Sequence, residues 1–454
     1  MNRPGGRTAG LPWPLLAAML ALLALSVAWA ATAAAQRYTG VASCAGSTCH
    51  GRAEGNGEVV RQDEIAGWQE PSSPSGAHSR ALAVLESVRG RQIAATLGMG
   101  NPSGEPACLG CHATFAPVAE RGPRFQLSDG VGCESCHGPA GGWIATHYTT
   151  VGTHPANLAA GLFPLEDPQA RANVCLDCHY GSANGNQFVT HRMMAAGHPR
   201  ISFELDLFSA LQQHHDEDAD YAQRKGRTNS VQLWAVGQAE AVRRSTDLFA
   251  RPGFASEGIF PEFTFYDCHS CHRAISDGPQ RRLTFETNPA RAIPFGQPPF
   301  NDENMIMLSA VARVLAPGQA QAFDEASRAF HRAMGVGRAE AAGAAMRLRG
   351  AAGALSDALA RGGGGDAFAV IAAIADRTTS PRFTDYAGSV QAVMAVDTLL
   401  NALVREGRVT VGAAAGIRAD INRAYNAVGS PESYNPVRFR AALGQAAGAI
   451  GTLR

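Results

Sequence analysis

The sequence predicts a mainly α-helical protein with much irregular loop, in which a cysteine-rich N-terminal part is followed by an antiparallel α-helical domain. Three observations support this prediction. All ten cysteines lie before residue 273. From residue 36 to about residue 291, Gly, Pro and Ser break every periodic segment into short pieces. After about residue 298 the chain is rich in alanine and places its apolar residues at helical spacing.

The first 35 residues are typical of a bacterial export signal. They carry Arg3 and Arg7, then an apolar run over 15–27, then small residues around Ala30 and Ala35. The apolar character continues weakly to Ala35, so an uncleaved membrane anchor that associates the protein with the membrane is the alternative. In either case the remainder of the chain is predicted to be exported, into the periplasm of a bacterium. We expect three segments: residues 1–35, 36–295 and 296–454.

The cysteines form five pairs, and a histidine directly follows the second member of each pair. In chain order, the pairs are Cys44 with Cys49, Cys108 with Cys111, Cys133 with Cys136, Cys175 with Cys178, and Cys268 with Cys271. The histidines that follow them are His50, His112, His137, His179 and His272. We call these haem sites 1 to 5, because C-x-x-C-H is the signature of c-type haem attachment, with two thioethers and an iron-binding histidine. Disulfides and zinc sites are alternatives, but neither requires a histidine after every second cysteine.

Haem site 1 departs from the pattern, because four residues separate Cys44 from Cys49. The motif still ends in Cys49-His50, so the histidine keeps its position if the inserted residues bulge away from the porphyrin. A disulfide in a Gly/Ser loop is the alternative at this motif. The sequence as a whole predicts five covalently bound haem c groups and their irons.

Each iron needs a second axial ligand if it is to exchange electrons without binding substrate, and histidine is the commonest donor. The 14 histidines of the chain exceed what five motifs use, so five irons can be saturated. From their local context, the candidate distal ligands are His78, His147, His191, His198 and His214. His214 is preferred only weakly over its neighbour His215.

Other residues near the motifs are given less specific roles. His154 competes with His147, whereas His269 and His331 are expected to be packing or surface residues. Met193 and Met194 are expected to contact haem through apolar surface, although methionine is also a known axial ligand.

The C-terminal part contains six helix candidates, which end at glycines and prolines. They span residues 305–315, 320–348, 366–375, 386–404, 413–428 and 436–450. The Gly-rich stretch Gly362–Gly365 is an unambiguous break between two of them. Short connections favour an antiparallel arrangement.

Several stretches resemble the multihaem c-type cytochromes of the cytochrome c-554 family. They are Gly130 to Ala140, Val174 to His179, Met193 to Leu205, and Trp68 followed by Gly76 to Leu82. The resemblance covers about residues 40 to 275. It implies periplasmic electron carriers whose haems are bis-histidine ligated and stacked in close pairs, and it implies the ligand role for His78, His191 and His198. The fifth motif and the helical C-terminal part depart from the better-known tetrahaem members.

We therefore expect an electron carrier without catalytic residues, whose partners are other redox proteins or a membrane-bound, quinone-linked complex. The formal net charge of zero argues against nucleic acid as a partner. One alternative is an oxidoreductase with one open-coordination haem, at site 1 or site 5, that acts on a small nitrogen or sulfur compound. Tyr266 would line its pocket, although an aromatic contact with haem is the preferred role for this residue. A second alternative makes the helical C-terminal part a docking or assembly module.

Overall fold

The computed structural model describes residues 37–55, 57, 60–183, 187–215, 217, 219–254, 262–272 and 298–454. The predicted export signal over residues 1–35 and the predicted boundary between residues 295 and 296 lie outside these ranges. The described chain is 62% helical, and the β pairing recorded in it is limited to two isolated bridges. The predicted mainly α-helical class is confirmed.

The N-terminal part consists of short helices joined by loops and 3-10 turns. In chain order they are α1 Glu64–Gln69, α2 Ala81–Leu85, α3 Val88–Leu97, α4 Pro106–His112, α5 Cys133–His137, α6 His154–Ala159, α7 Pro168–His179, α8 His191–Ala195, α9 Leu205–Leu211 and α10 Ala219–Lys225. Their apolar clusters are small; one of them consists of Leu85, Leu109 and Ala113 with a few partly buried neighbours. Such clusters leave space among the helices for other apolar groups.

Longer helices follow. They are α11 Ser230–Ala250, α12 Glu303–Leu315, α13 Pro317–Met334, α14 Arg338–Arg361, α15 Ala367–Thr378, α16 Tyr386–Arg405, α17 Val411–Ala427 and α18 Pro436–Gly451. Their starts follow ordinary capping chemistry: the Asn229 side chain accepts from Gln232 N before α11, and Asp385 accepts from Gly388 N before α16.

One apolar core joins these long helices, and it begins within α11. Val231, Trp234 and Leu248 of α11 are fully buried in the same cluster that extends to Ile450 of α18. The same helix also packs against α7 and α9 of the N-terminal part. The core therefore includes a helix that precedes the predicted boundary at residues 295/296, while the division into domains remains a prediction.

The helix expected over residues 320–348 is wrong as a single element. Two helices, α13 and α14, occupy this region, and Gly335–Gly337 separate them. Gly335 and Gly337 make a helical backbone less favourable at these positions. The alanine-rich pattern on both sides nevertheless predicts one continuous helix.

One described helix is long and apolar enough to cross a membrane by length and composition. This helix is α16, and 78% of its most apolar window is buried inside the protein. Such burial is what a core helix requires.

Candidate haem sites

Helical geometry presents the cysteines of haem sites 2, 3 and 4. In each of these motifs the two cysteines and the histidine form the last turn of α4, α5 or α7. Residues three apart lie on the same face of a helix, so both thiols point to one side. Site 5 instead lies on a 3-10 turn over Cys268–Ser270, and site 1 lies in a loop after the 3-10 turn Val41–Ser43.

A buried carboxylate inside the third motif holds the backbone of Thr39 and Gly40 in place. Glu134 accepts hydrogen bonds from the backbone N–H groups of Thr39 and Gly40, each at 2.8 Å, and from Ala140 N at 2.7 Å. Glu134 is 5% exposed. These bonds satisfy the buried charge and place the chain that leads into site 1 against site 3.

Gly130 allows a close approach that positions His78. Its φ of +70° is in the region that favours glycine, and a Cβ there would lie 2.7 Å from the carbonyl oxygen of His78. The next residue, Val131, donates its N–H to the same oxygen at 3.0 Å. The distal candidate is thus held by the loop that leads into the third motif.

The structure brings every motif histidine to one candidate distal histidine. The facing pairs are His50 with His147, His112 with His198, His137 with His214, His179 with His78, and His272 with His191. Their ring centroids lie 6.1 to 6.3 Å apart. Imidazole nitrogens bind metals at about 2.0 Å, so two imidazoles on opposite sides of one iron have centroids ~6 Å apart. The residues present therefore fit five irons with two histidines each.

Backbone carbonyls orient several of these rings. In each case the imidazole Nδ1–H donates and leaves Nε2 free as the acceptor that a metal requires. These bonds are His112 to Ala81 O at 2.7 Å, His147 to Ile144 O at 2.8 Å, His198 to Pro199 O at 2.8 Å, and His214 to Gln212 O at 2.7 Å.

The Nδ1 atom of His50 contacts a side chain and not a backbone carbonyl. This atom lies 2.9 Å from Oε2 of Glu64, a residue that is 6% exposed. Burial opposes ionisation of Glu64, but the ring of His215 at 3.6 Å and the hydrogen bond with His50 outweigh it and hold the pKa of this carboxyl well below its usual range. Nothing in the local sequence pattern singles out Glu64, because it is an ordinary acidic residue in the first turn of α1.

Haem site 3 has two histidines opposite its motif histidine. The ring of His137 lies 6.2 Å from His214 and 6.1 Å from His215, and the ligand atoms of all three lie within 4.8 Å of one another. Burial, with smaller contributions from neighbouring histidines, lowers the pKa of His137 to about 3 and that of His214 to about 4. Burial thus favours the neutral imidazole, which is the form that binds a metal.

A cavity of about 1820 Å³ lies among the first four haem sites. Its lining includes every cysteine and motif histidine of sites 1 to 4, the distal candidates His78, His147, His198 and His214, and apolar side chains such as Ile93 and Phe203. The large apolar porphyrin of a haem, with its central iron, suits such a lining. All ten cysteines are among the described residues, and no disulfide joins any two of them.

Contacts between the motifs define a spatial order of the sites. Glu134 of the third motif accepts from the backbone N–H groups of Thr39 and Gly40, which lie just before site 1, and this joins site 1 to site 3. α5 packs against α7, which joins site 3 to site 4, and α4 also packs against α7. Cys178 Sγ lies 3.7 Å from Gly110 O, within site 2. The segment that begins with α8 supplies the histidines facing sites 2 and 5, so the order is 1–3–4–2–5.

The remaining sequence candidates lie at the margins of these sites. The ring of Tyr266 lies 6.3 Å from Phe263, which in turn contacts His191 at 5.5 Å, so Tyr266 is near site 5 without facing its histidine pair. His331 lies 3.0 Å from Asp302 and is 3% exposed, as a packing residue between α12 and α13. His269 donates from Nδ1 to Pro431 O at 2.8 Å and thus contacts the C-terminal part.

Residues 43–138 match the family model described as "Cytochrome c554 and c-prime". This stretch contains haem sites 1 to 3 and His78, whereas sites 4 and 5 lie beyond it. Comparison with curated proteins and with solved structures gives no significant match. Over residues 43–138 the chain is thus similar to a family of c-type cytochromes, and this similarity supports haem c and electron transport for that stretch.

Proposed function

We propose that this chain is an exported electron carrier with five haem c groups, each bound through two cysteines and two histidines. The observation that carries the proposal is the common spacing of 6.1 to 6.3 Å between each motif histidine and a second histidine. Five such pairs at five attachment motifs are not expected of histidines placed for packing alone.

Haem c would supply one-electron exchange between the ferric and ferrous states of its iron. The chain's own residues attach, orient and enclose the group. Backbone carbonyls fix the imidazole tautomers, and mostly apolar side chains line the cavity that adjoins four of the sites.

The order 1–3–4–2–5 suits transport from one end of the protein to the other. At the site 1 end, Cys49 is exposed and Tyr148 is 75% exposed. At the site 5 end, Cys271 is exposed and the His272 side chain is 55% exposed. We propose that redox proteins, or a membrane-bound quinone-linked complex, exchange electrons with the protein at these two ends.

The oxidoreductase alternative needs an iron whose distal face lacks a protein ligand. Sites 1 and 5 are the two that sequence context left without an obvious distal partner. His147 faces site 1 at 6.3 Å, and His191 faces site 5 at 6.1 Å. These two distances favour the carrier over the enzyme.

The C-terminal helices fit a structural role better than a separate docking module. Their apolar core includes α11, and Gln391 of α16 donates to Phe203 O at 3.1 Å beside site 4. Phe203 itself stacks on His179 with centroids 5.0 Å apart. The helical part thus supports the wall of a haem site.

Carbon monoxide binding to the reduced protein tests the proposal. Because ferrous haem with two histidines has no open position, we expect the visible spectrum to remain unchanged on addition of the gas. A His147→Ala variant should open site 1 and bind one equivalent per chain, which provides the positive control. Stoichiometric binding by the unaltered protein would contradict bis-histidine ligation at all five sites.

A further inference from the structure

The carboxylate of Glu64 is held on several sides against haem site 1. Its Oε2 lies 2.9 Å from Nδ1 of His50, and its Oε1 accepts from Gln62 N at 3.1 Å. The next residue, Ile65, donates its N–H to the carbonyl oxygen of His50 at 3.1 Å. His215 Nδ1 lies 3.6 Å from Glu64 Oε1. The first turn of α1 therefore fixes both the ring and the backbone of this motif histidine.

Three of the other motif histidines have weaker or neutral neighbours at Nδ1. His112 donates to the carbonyl of Ala81 at 2.7 Å, and a carbonyl carries no formal charge. The Nδ1 of His179 is buried and has no hydrogen-bond partner among the described residues. His272 lies 3.9 Å from a carboxylate oxygen of Glu432, beyond hydrogen-bond distance, and both side chains are more than half exposed.

A carboxylate at Nδ1 changes the ligand that iron receives. It draws the Nδ1 proton toward itself, so the imidazole gains electron density and becomes a stronger base at Nε2. A more basic ligand stabilises ferric iron relative to ferrous iron and lowers the reduction potential. Water screens this effect little, because Glu64 is 6% exposed.

We infer that Glu64 is a positioning residue that lowers the reduction potential of the iron at haem site 1, through its hydrogen bond with His50. The inference rests on the proposed function, in which His50 and His147 ligate this iron. The Glu64 carboxylate lowers the potential at site 1 relative to that at site 2, whose motif histidine meets a neutral carbonyl.

Glu64→Gln tests the inference, because glutamine keeps the length and a carbonyl acceptor but removes the charge. Spectroelectrochemical titration of the full chain, at one fixed pH, measures all the haem potentials. Removal of a partner that orients a metal ligand typically changes metal affinity or activity by 10-fold or more, so we expect a roughly tenfold change in the ferric-to-ferrous ratio of one haem, about 59 mV more positive. The g values of the low-spin signal of that haem in electron paramagnetic resonance should also change.

Asp63→Asn is the matched control. It removes the same charge one residue away, but this carboxylate pairs with Arg61 at 3.0 Å and not with a histidine ring. We expect the Asp63→Asn variant to have the same five reduction potentials as the unaltered protein. An unshifted Glu64→Gln protein, or an equal shift in both variants, would overturn the role of Glu64.

Haem content and spin state of the unaltered chain separate this inference from the proposed function. Fewer than five covalent haems, or a high-spin iron, would overturn the proposed function before any variant is compared. With five low-spin haems present in the unaltered chain and in Glu64→Gln, the potential of one haem decides the role of Glu64 alone.

Discussion

At the residue scale, haem site 3 poses a choice between two adjacent histidines. His214 donates from Nδ1 to a carbonyl at 2.7 Å, and burial lowers its pKa to about 4. His215 turns its Nδ1 toward Glu64 at 3.6 Å, and its side chain is 36% exposed. A ligand whose ring is fixed by a short hydrogen bond and enclosed by protein is the better preorganised, so we predict that His214 binds the iron.

We expect His214→Ala to remove or shift one low-spin signal in the resonance spectrum of the oxidised protein. His215→Ala should keep five low-spin irons, because the ring of His214 remains in place. Covalent haem content, measured by intact mass, controls for failure of attachment in either variant. The opposite pattern would assign the ligand to His215.

Sequence context named the candidate histidines, but it could not pair them with irons. His78 faces His179, and His147 faces His50, across long stretches of chain that bring distant loops together. Local spacing predicts helices and attachment motifs because those are set by neighbouring residues. The pairing of histidines with irons depends on how distant loops pack around the haems. The contact of Glu64 with His50 could not be predicted from local sequence for the same reason.

At the element scale, α11 connects the two parts of the chain. Its Val231 and Trp234 are fully buried in the core of the C-terminal helices, whereas Arg244 on the same helix lies 2.6 Å from Asp177 in the fourth motif. The helical character of the C-terminal part was predictable from its alanine-rich periodicity. The packing of α11 in the core of the C-terminal helices was not predictable, because a helix buried on nearly all sides shows no single apolar face.

Truncation of residues 298–454 should therefore damage the haem-binding part. Removal of these residues would expose the buried side of α11, with Val231, Trp234 and Leu248, at a cost of roughly 1.5–3 kcal/mol for each large side chain. We expect the truncated protein to aggregate or to carry fewer covalent haems per chain, as measured by intact mass and haem absorbance. A soluble truncated protein with its full haem content would instead favour the docking-module alternative.

At the scale of the whole molecule, the attachment sites form one connected series in the order 1–3–4–2–5. Glu134 of site 3 binds the backbone just before site 1, and α7 joins site 3 to sites 4 and 2. His191 and His198 then connect site 5 to site 2. Two protein ligands on every iron would suit such a series, because a saturated iron exchanges electrons without binding substrate.

Electron paramagnetic resonance of the fully oxidised protein, with the spins quantified against covalent haem content, tests this ligation most directly. We predict five haems and five low-spin ferric irons per chain, with no high-spin signal, because a histidine pair spaced 6.1 to 6.3 Å apart is present at every site. A high-spin iron in the unaltered protein, or fewer than five haems, would contradict it.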